Sequence, residues 1–481
     1  MSGAVHIQLS QADTPLGVNV LTKRTGSNRS RAAAAESHAA EVQAWPAPIP
    51  SRAELAAAFA KGLDLCEGKE PGHAARVCYI ALNLAAAMEL PAKEREALYF
   101  GSLLHDAGAV VASAHLCRTL QISEESLFNA RPDIVPEQVA LRVAPSNADQ
   151  VVDMLHAHAE EGAGVAEALG FGGDVQEAIA AHHERWDGEG YPAELSEGQI
   201  PITGRLIAVA DLIDSLISTD SNPLQSRRNL VTGLAEHAGT LIEPKLAQRA
   251  HGLVRSDAFW LGLHHSTLPE ELADSLDDEE ADADRSAADV VTFAKVFAGL
   301  GDAKGEHTDG HSERTADVAD QIALSAGLDE SRRELLRVAA LSHNVGLLGV
   351  PARVIAKPDI LSLTEMETMR RHPTYSRMVL EALPGMEEIA MWVGSHHERI
   401  DGKGYPEMLE ADDIPLEARI ISLADTYVAL TSPRPYREAL SDGDAKQVLE
   451  GAVGTQLDKK LVKLFCSSTS SRNARRSRRT R

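Results

Sequence analysis

The stretch His182-His183-Glu184-Arg185-Trp186-Asp187-Gly188-Glu189-Gly190-Tyr191-Pro192 returns in the same chain as His396-His397-Glu398-Arg399-Ile400-Asp401-Gly402-Lys403-Gly404-Tyr405-Pro406. Further histidines and an aspartate accompany each copy at matched intervals. His73 to His105 and His311 to His343 are both 32 residues, and His158 to His182 and His372 to His396 are both 24. His183 to Asp211 and His397 to Asp425 are both 28. One interval differs: His105 to His158 is 53 residues and His343 to His372 is 29, so the first copy carries 24 extra residues. The chain is a tandem repeat organised around two histidine–carboxylate sets.

The chemistry follows from the residue types. In the first module His73, His105, Asp106, His158, His182, His183 and Asp211 offer imidazole nitrogen and carboxylate oxygen but no thiolate. That donor set suits iron, manganese, zinc or cobalt better than calcium or magnesium. Seven side chains exceed the four of a structural zinc site, so two ions fit better than one. Asp106 can bridge a metal pair, and with His105 it is the candidate catalytic residue. A pair of ions clamps a phosphate and lowers the pKa of a bound water toward neutrality for in-line attack. His182 and His183, as neighbours on a helix, would point about 100° apart, so they need not serve the same ion. A single buried histidine is more often a hydrogen-bonded core residue, but a whole set repeated at matched intervals favours metal. The DGxGYP loops also have a purely structural reading: glycine permits positive φ and proline fixes a turn. Asp187 and Asp401 can therefore be caps only, and Arg205 and Arg419 are expected to make structural ion pairs.

Helices must position these groups. Ser51-Arg52-Ala53-Glu54 has capping-box spacing ahead of an Ala/Leu-rich run. Val77, Ile80, Ala81 and Leu84 lie on one helical face. A helix over 92–104 should deliver His105-Asp106, with Gly108 able to stop it. The extra segment, 112–150, carries Pro132, Pro136 and Pro145 and predicts broken helices and loop. Helical texture resumes at 151–169, 175–183 and 202–217. In the second module Ser331-Arg332-Arg333-Glu334 offers another capping box. Strand-like alternation is nearly absent and aromatic content is 4%. The expected fold class is all-α.

Length and charge bound the rest. A chain of 481 residues exceeds one ordinary domain. The division expected is a disordered leader (1–50), module one (51–265), an acidic linker (266–289), module two (290–466) and a basic disordered tail (467–481). The net charge of -24 argues against a general nucleic-acid surface, leaving only the arginine-rich tail. No apolar run reaches the ~18 residues of a membrane span. Four scattered cysteines without a CxxC read as thiols in a reducing compartment, and the chain is expected to be cytoplasmic.

On these residues both modules resemble HD-GYP domains, HD-superfamily phosphohydrolases known for hydrolysing cyclic di-GMP in bacteria. The motif HHExxDGxGYP, the pairs Ile200-Pro201 and Ile414-Pro415, and the spaced histidines carry the resemblance over 60–255 and 290–465. It implies two tandem HD-type helical bundles, a two- or three-metal centre often containing iron or manganese, and phosphodiester cleavage in a nucleotide second messenger. It also implies that the GYP loops contact partner proteins such as diguanylate cyclases. In the second module the corresponding ligands are His311, His343, His372, His396, His397 and Asp425. The family's HDxGK is His105-Asp106-Ala107-Gly108-Ala109 in module one and His343-Asn344-Val345-Gly346-Leu347 in module two. A neutral amide at Asn344 cannot bridge two ions, so module two should hold partial metal or none. Conversely Arg434-Pro435-Tyr436-Arg437 preserves the family's phosphate-contacting RPYR, making Arg434 and Arg437 candidate substrate ligands. Module one has Asp220-Ser221-Asn222-Pro223 in that region. The expectation is a metal-dependent phosphohydrolase with module one the catalyst and cyclic di-GMP the substrate. The alternative is a catalytically degenerate scaffold that binds nucleotide or protein partners. Complete ligands in module one favour the enzyme, and loss of both motif lysines favours the scaffold.

Overall fold

The computed structural model describes residues 45, 48–66, 72–128, 135–218, 223–263, 285–305, 308–433 and 438–467. Arg434 and Arg437, most of the leader, most of the acidic linker and nearly all of the tail lie outside the described residues. Among the described residues the structure is helical throughout, with three isolated β-bridges and no strand. The all-α expectation holds.

The two modules use the same plan. In module one His73–Ala87, Ala92–Leu104, Ala107–Leu120, Ala148–Ala168, Gly173–Ala180 and Ile202–Ser218 surround the histidine set. Their counterparts in module two include His311–Ala326, Glu330–Ser342, His372–Glu381, Glu387–Gly394 and Leu416–Thr431. The first capping box forms as the spacing predicts: Glu54 N–H donates to Ser51 Oγ and Ser51 N–H to Glu54 Oε2. The second begins two residues earlier. Asp329 is the N-cap of Glu330–Ser342, its carboxylate accepting from Arg332 N–H at 2.8 Å, which places Ser331 inside the first turn.

Gly108 does not stop a helix. The chain breaks at His105-Asp106 and a new helix starts at Ala107, running through Gly108. A Cβ at Gly108 would sit 1.9 Å from the His158 carbonyl oxygen, and one at Gly346 would sit 2.0 Å from that of His372. The glycine is there so that the helix carrying His158 or His372 can touch the backbone beside the HD position.

One hydrophobic cluster is common to both modules, beside another that belongs to module one alone. Arg52–Cys66 packs against helices of both, including His73–Ala87, Ala92–Leu104 and His372–Glu381. At its centre Phe59 stacks on Phe297 of Ala287–Ala303, with centroids 4.3 Å apart, and Phe293 lies 6.0 Å from Phe59. Phe293 in turn meets Phe171 of module one edge-on. Arg285 fastens the start of this junction by donating to the Ile49 carbonyl and to Glu54. Phe59 is 1% exposed. Phe59→Ala is expected to cost about 3–5 kcal/mol, because the junction has little room to collapse. Thermal denaturation should show one lowered transition, and an unchanged Tm would mean that the stack contributes nothing.

Candidate metal centre

The ring geometry of module one is set from behind by the backbone. His105 Nδ1 donates to the Ser102 carbonyl at 2.8 Å, and Nδ1 of His158 and of His182 donate to Leu155 and Ile179 at 2.5 Å. A carbonyl can only accept, so each Nδ1 carries a proton and Nε2 is the ring nitrogen left to face the cluster. The Nε2 atoms of His105 and His182 are buried with no hydrogen-bond partner among the described residues. His158 is 2% exposed. Burial, reinforced by His182, lowers its pKa to about 3, and the same two causes push His183 well down. A ring held at Nδ1 by the backbone, with Nε2 turned to the cluster, is the arrangement that a metal requires.

Asp106 organises these rings. Its carboxylate oxygens lie 3.0 Å from His105 Nε2, 3.8 Å from His73 Nε2 and 3.7 Å from His182 Nε2. Two candidate ligand groups result, Asp106 with His158, His182 and His183, and Asp106 with His73 and His105. Within each group the ligand atoms lie within 4.8 Å of one another, and Asp106 belongs to both. Asp211 completes the second group's surroundings at 3.6 Å from His73 Nε2. The structure therefore brings together all seven residues picked from module one. The adjacent pair differs from its expectation. Helix Gly173–Ala180 ends before His182, so the two histidines lie in a turn with ring centroids 4.0 Å apart, and both face the same group.

Asp214 went unrecognised in the sequence. It is 2% exposed and accepts from His73 Nδ1 at 2.8 Å. Arg76 forks onto the same carboxylate at 2.6 and 3.0 Å. Burial works to raise the Asp214 pKa, but His73 and Arg76 outweigh it and hold the group at about 2. An ionised Asp214 fixes His73 as the Nδ1–H tautomer and turns Nε2 toward Asp106 and Asp211. The available signal was spacing, since Asp214 follows Asp211 by three residues and shares its helix face. Asp214→Asn should weaken metal affinity by about 10–100-fold by releasing that ring. Titration with Mn2+, followed by the electron paramagnetic resonance of the free ion, would show the shift, and an unchanged affinity would remove this role.

Module two repeats the rings but not their wiring. Nδ1 of His343, His372 and His396 donate to the carbonyls of Ala340, Met369 and Val393. The groups are His372 with His396 and His397, and His311 with His343 and Asp425, without a shared carboxylate. Where module one has Asp214, three residues after the helix aspartate, module two has buried Val428. Arg314, the counterpart of Arg76, instead donates to the Asp309 carbonyl and to Ser432 Oγ. His311 lacks an acceptor at Nδ1 among the described residues, and its Nε2 donates to Asp425 at 2.9 Å. Burial opposes that ionised carboxylate, but His311 and the neighbouring histidines hold Asp425 well below the usual range. The tautomer is the reverse of that at His73, and the nitrogen facing the site is already protonated.

The GYP loops are closed structures. Glu184 is 2% exposed and accepts from the N–H groups of Ala193 and Leu195, and Glu398 accepts from Glu407, Met408 and Leu409. Asp187 and Asp401 bind the arginine two residues earlier and an amide two residues later, so each fastens its own loop. Tyr191 and Tyr405 stack on His183 and His397 at 4.8 and 5.0 Å. Arg205 pairs with Glu243 at 2.6 Å and Arg419 with Asp458 at 2.8 Å, the structural role expected of them.

Fold, glycine contacts and paired histidine groups define an HD-type module used twice. The HD domain family model matches residues 134–246 and 295–461, and the chain belongs to that family. It is 28% identical over 431 residues to a 3'3'-cGAMP-specific phosphodiesterase 3 of Vibrio cholerae, covering 84% of this chain and 92% of that one. It is also 39% identical over 155 residues to the cyclic di-GMP phosphodiesterase response regulator RpfG of Xanthomonas campestris, covering 31% of this chain and 40% of the other. A crystal structure of a cyclic GMP-AMP-specific phosphodiesterase from V. cholerae superposes with a TM-score of 0.63 at 26% identity. That likeness covers 88% of this chain and 98% of the other.

Proposed function

We propose that this chain is a metal-dependent phosphodiesterase acting on a guanine-containing cyclic dinucleotide, cyclic di-GMP or 3'3'-cGAMP, with the reaction at module one. The observation that carries this reading is Asp106, a carboxylate common to two groups of histidines. The relatives' substrates supply the ligand class. Three carboxylates, Asp106, Asp211 and Asp214, stand around His73, and Arg76 pairs with Asp214 alone among the described contacts, so the site favours cations and repels a phosphate until they bind. We expect about two ions there, iron or manganese, from the donor set. When bound, such ions polarise a phosphodiester and make water a competent nucleophile near neutral pH.

The chain's own residues hold and aim. Asp106 joins the two ligand groups, the Asp214–Arg76 pair fixes His73, and Tyr191 braces His183. Module one offers no lysine beside Asp106, because Ala109 occupies that position and is fully enclosed. The phosphate must therefore rely on bound cations for charge stabilisation. Module two, with Asn344 and the closed His311–Asp425 bond, supports a second and different role. It is proposed to bind nucleotide or partner protein without turnover and with partial metal or none, with Arg434 and Arg437 as phosphate contacts. A diguanylate cyclase-type partner would meet the GYP loops, where Met408 is 68% exposed. Among the described residues no helix is long and apolar enough to cross a membrane; a cytoplasmic location remains part of this proposal.

The test is hydrolysis of both dinucleotides by full-length protein purified without oxygen, stripped with chelator and reloaded with Mn2+ or Fe2+. Linear dinucleotide or mononucleotide should form only after reloading. Elemental analysis showing ions bound, with neither substrate cleaved, would replace the enzyme by the scaffold.

A further inference from the structure

The 24 extra residues of module one have no task in the site as described, yet they hold a buried ion pair that crosses between modules. Glu124 opens the short helix Glu124–Phe128 inside that insertion and is 2% exposed. Its partner is Lys304, 1% exposed, at the end of the module-two helix Ala287–Ala303, with Nζ 3.0 Å from Glu124 Oε1. Lys304 Nζ also donates to the Leu348 carbonyl at 2.7 Å, and the Glu124 carboxylate accepts from Ala352 N–H at 3.1 Å. Leu348 belongs to the short helix Val345–Gly349, which begins directly after His343-Asn344. At the other end of Glu124–Phe128, the Phe128 ring lies edge-on to the His158 ring, with centroids 5.7 Å apart. Between these ends Leu127 is buried in a cluster with Leu116, Val139, Leu155 and, from module two, Ala352.

A continuous set of contacts thus runs from the degenerate HD position of module two to a histidine of the module-one centre. Both charges are almost fully removed from water. A buried pair of this kind adds little net stability over an apolar pair of equal volume, but it fixes one geometry, because neither partner tolerates displacement. Phe128 converts the position of that pair into the position of the His158 ring.

We propose that Glu124–Phe128 is a coupling strut through which module two sets the placement of His158, and with it the metal affinity of module one. The inference rests on the metal-site reading given above. It makes module two, with a nucleotide or protein on it, a regulator of the module-one reaction, and it assigns the insertion its purpose.

The experiment uses full-length protein carrying His396→Ala and His397→Ala, which removes a module-two ligand group so that Mn2+ reports chiefly on module one. Three forms are compared: strut intact, Glu124→Gln with Lys304→Met, and Phe128→Leu. The double change leaves no unpaired buried charge and keeps an acceptor for Ala352 N–H. Phe128→Leu leaves the ion pair untouched, so one of the two should fold even if the other does not. Mn2+ bound at module one should slow amide exchange at 345–356 by about threefold or more in the intact form. That slowing should vanish in both strut variants, and Mn2+ affinity should fall about tenfold. Normal Mn2+ binding with unchanged slowing in the variants, or with no slowing in the intact form, would overturn the strut alone. Absence of Mn2+ binding in the intact form would overturn the metal-site reading and the strut's function with it.

Discussion

Asp106→Ala in the full-length chain is expected to remove most bound metal from module one and to lower kcat/KM for cyclic dinucleotide hydrolysis by on the order of 10³, about 4 kcal/mol of transition-state stabilisation. The expectation follows from its double membership. No other candidate ligand of module one belongs to more than one group, whereas Asp106 lies in both and stands within 4 Å of three imidazoles. Removing it leaves Asp211 beside His73 but no carboxylate shared by the two groups, so two cations held close together repel each other with less compensation. Asp187→Ala is the informative comparison, because that carboxylate touches only its own loop. It should change kcat/KM by less than about tenfold. Equal loss in the two variants would mean that Asp106 acts through the fold and not through the ions.

Module two should regain a metal position when two residues are restored together. In an Asp106→Ala background, Asn344→Asp with Val428→Asp is expected to add about one ion per chain, measured by elemental analysis after Mn2+ loading. Each change repairs a different defect. Asn344→Asp supplies the bridging negative charge that an amide lacks. Val428→Asp places a carboxylate three residues after Asp425, as Asp214 stands after Asp211. There Arg314 can fork onto it and His311 Nδ1 gains an acceptor. His311 can then protonate at Nδ1 and release Nε2 from Asp425. An orienting partner of this kind is worth about 10–100-fold in metal affinity, so Asn344→Asp alone should give less than the pair. A metal-to-protein ratio no higher in the double variant than in the Asp106→Ala parent would show that the site lost more than these two groups.

The sequence displayed the candidate ligands with little ambiguity, because a tandem repeat provides its own comparison. Six histidine and aspartate positions that recur, at matched intervals but for one, picked out His73 through Asp211, and the structure gathers them with Asp106. Helical class was equally visible, from apolar faces such as Val77, Ile80, Ala81 and Leu84. What stayed hidden was whatever depends on partners distant in sequence. Gly108 read as a stop because its true constraint, the His158 carbonyl, lies fifty residues away. Asp214 was not singled out, because its partners, His73 and Arg76, stand on another helix. The tautomer of His311 follows from the absence of one carboxylate in three dimensions, which no local pattern announces. His182 and His183 were assigned a helical divergence that disappears once the helix ends at Ala180.

The junction at Phe59 bears on how such a chain can change over time. Because Arg52–Cys66 and Ala287–Ala303 bury their phenylalanines against each other, the second bundle supplies part of the wall that closes the first. Substitutions at Asn344 or Val428 alter what module two can hold, but they leave that wall standing. Chemistry and architecture are thereby decoupled in the second half. Its ligand positions are free to drift toward recognition or toward silence, while deletion of the half would strip the first half of its apolar cover. A bundle retained for its packing is also a surface on which regulation can be built.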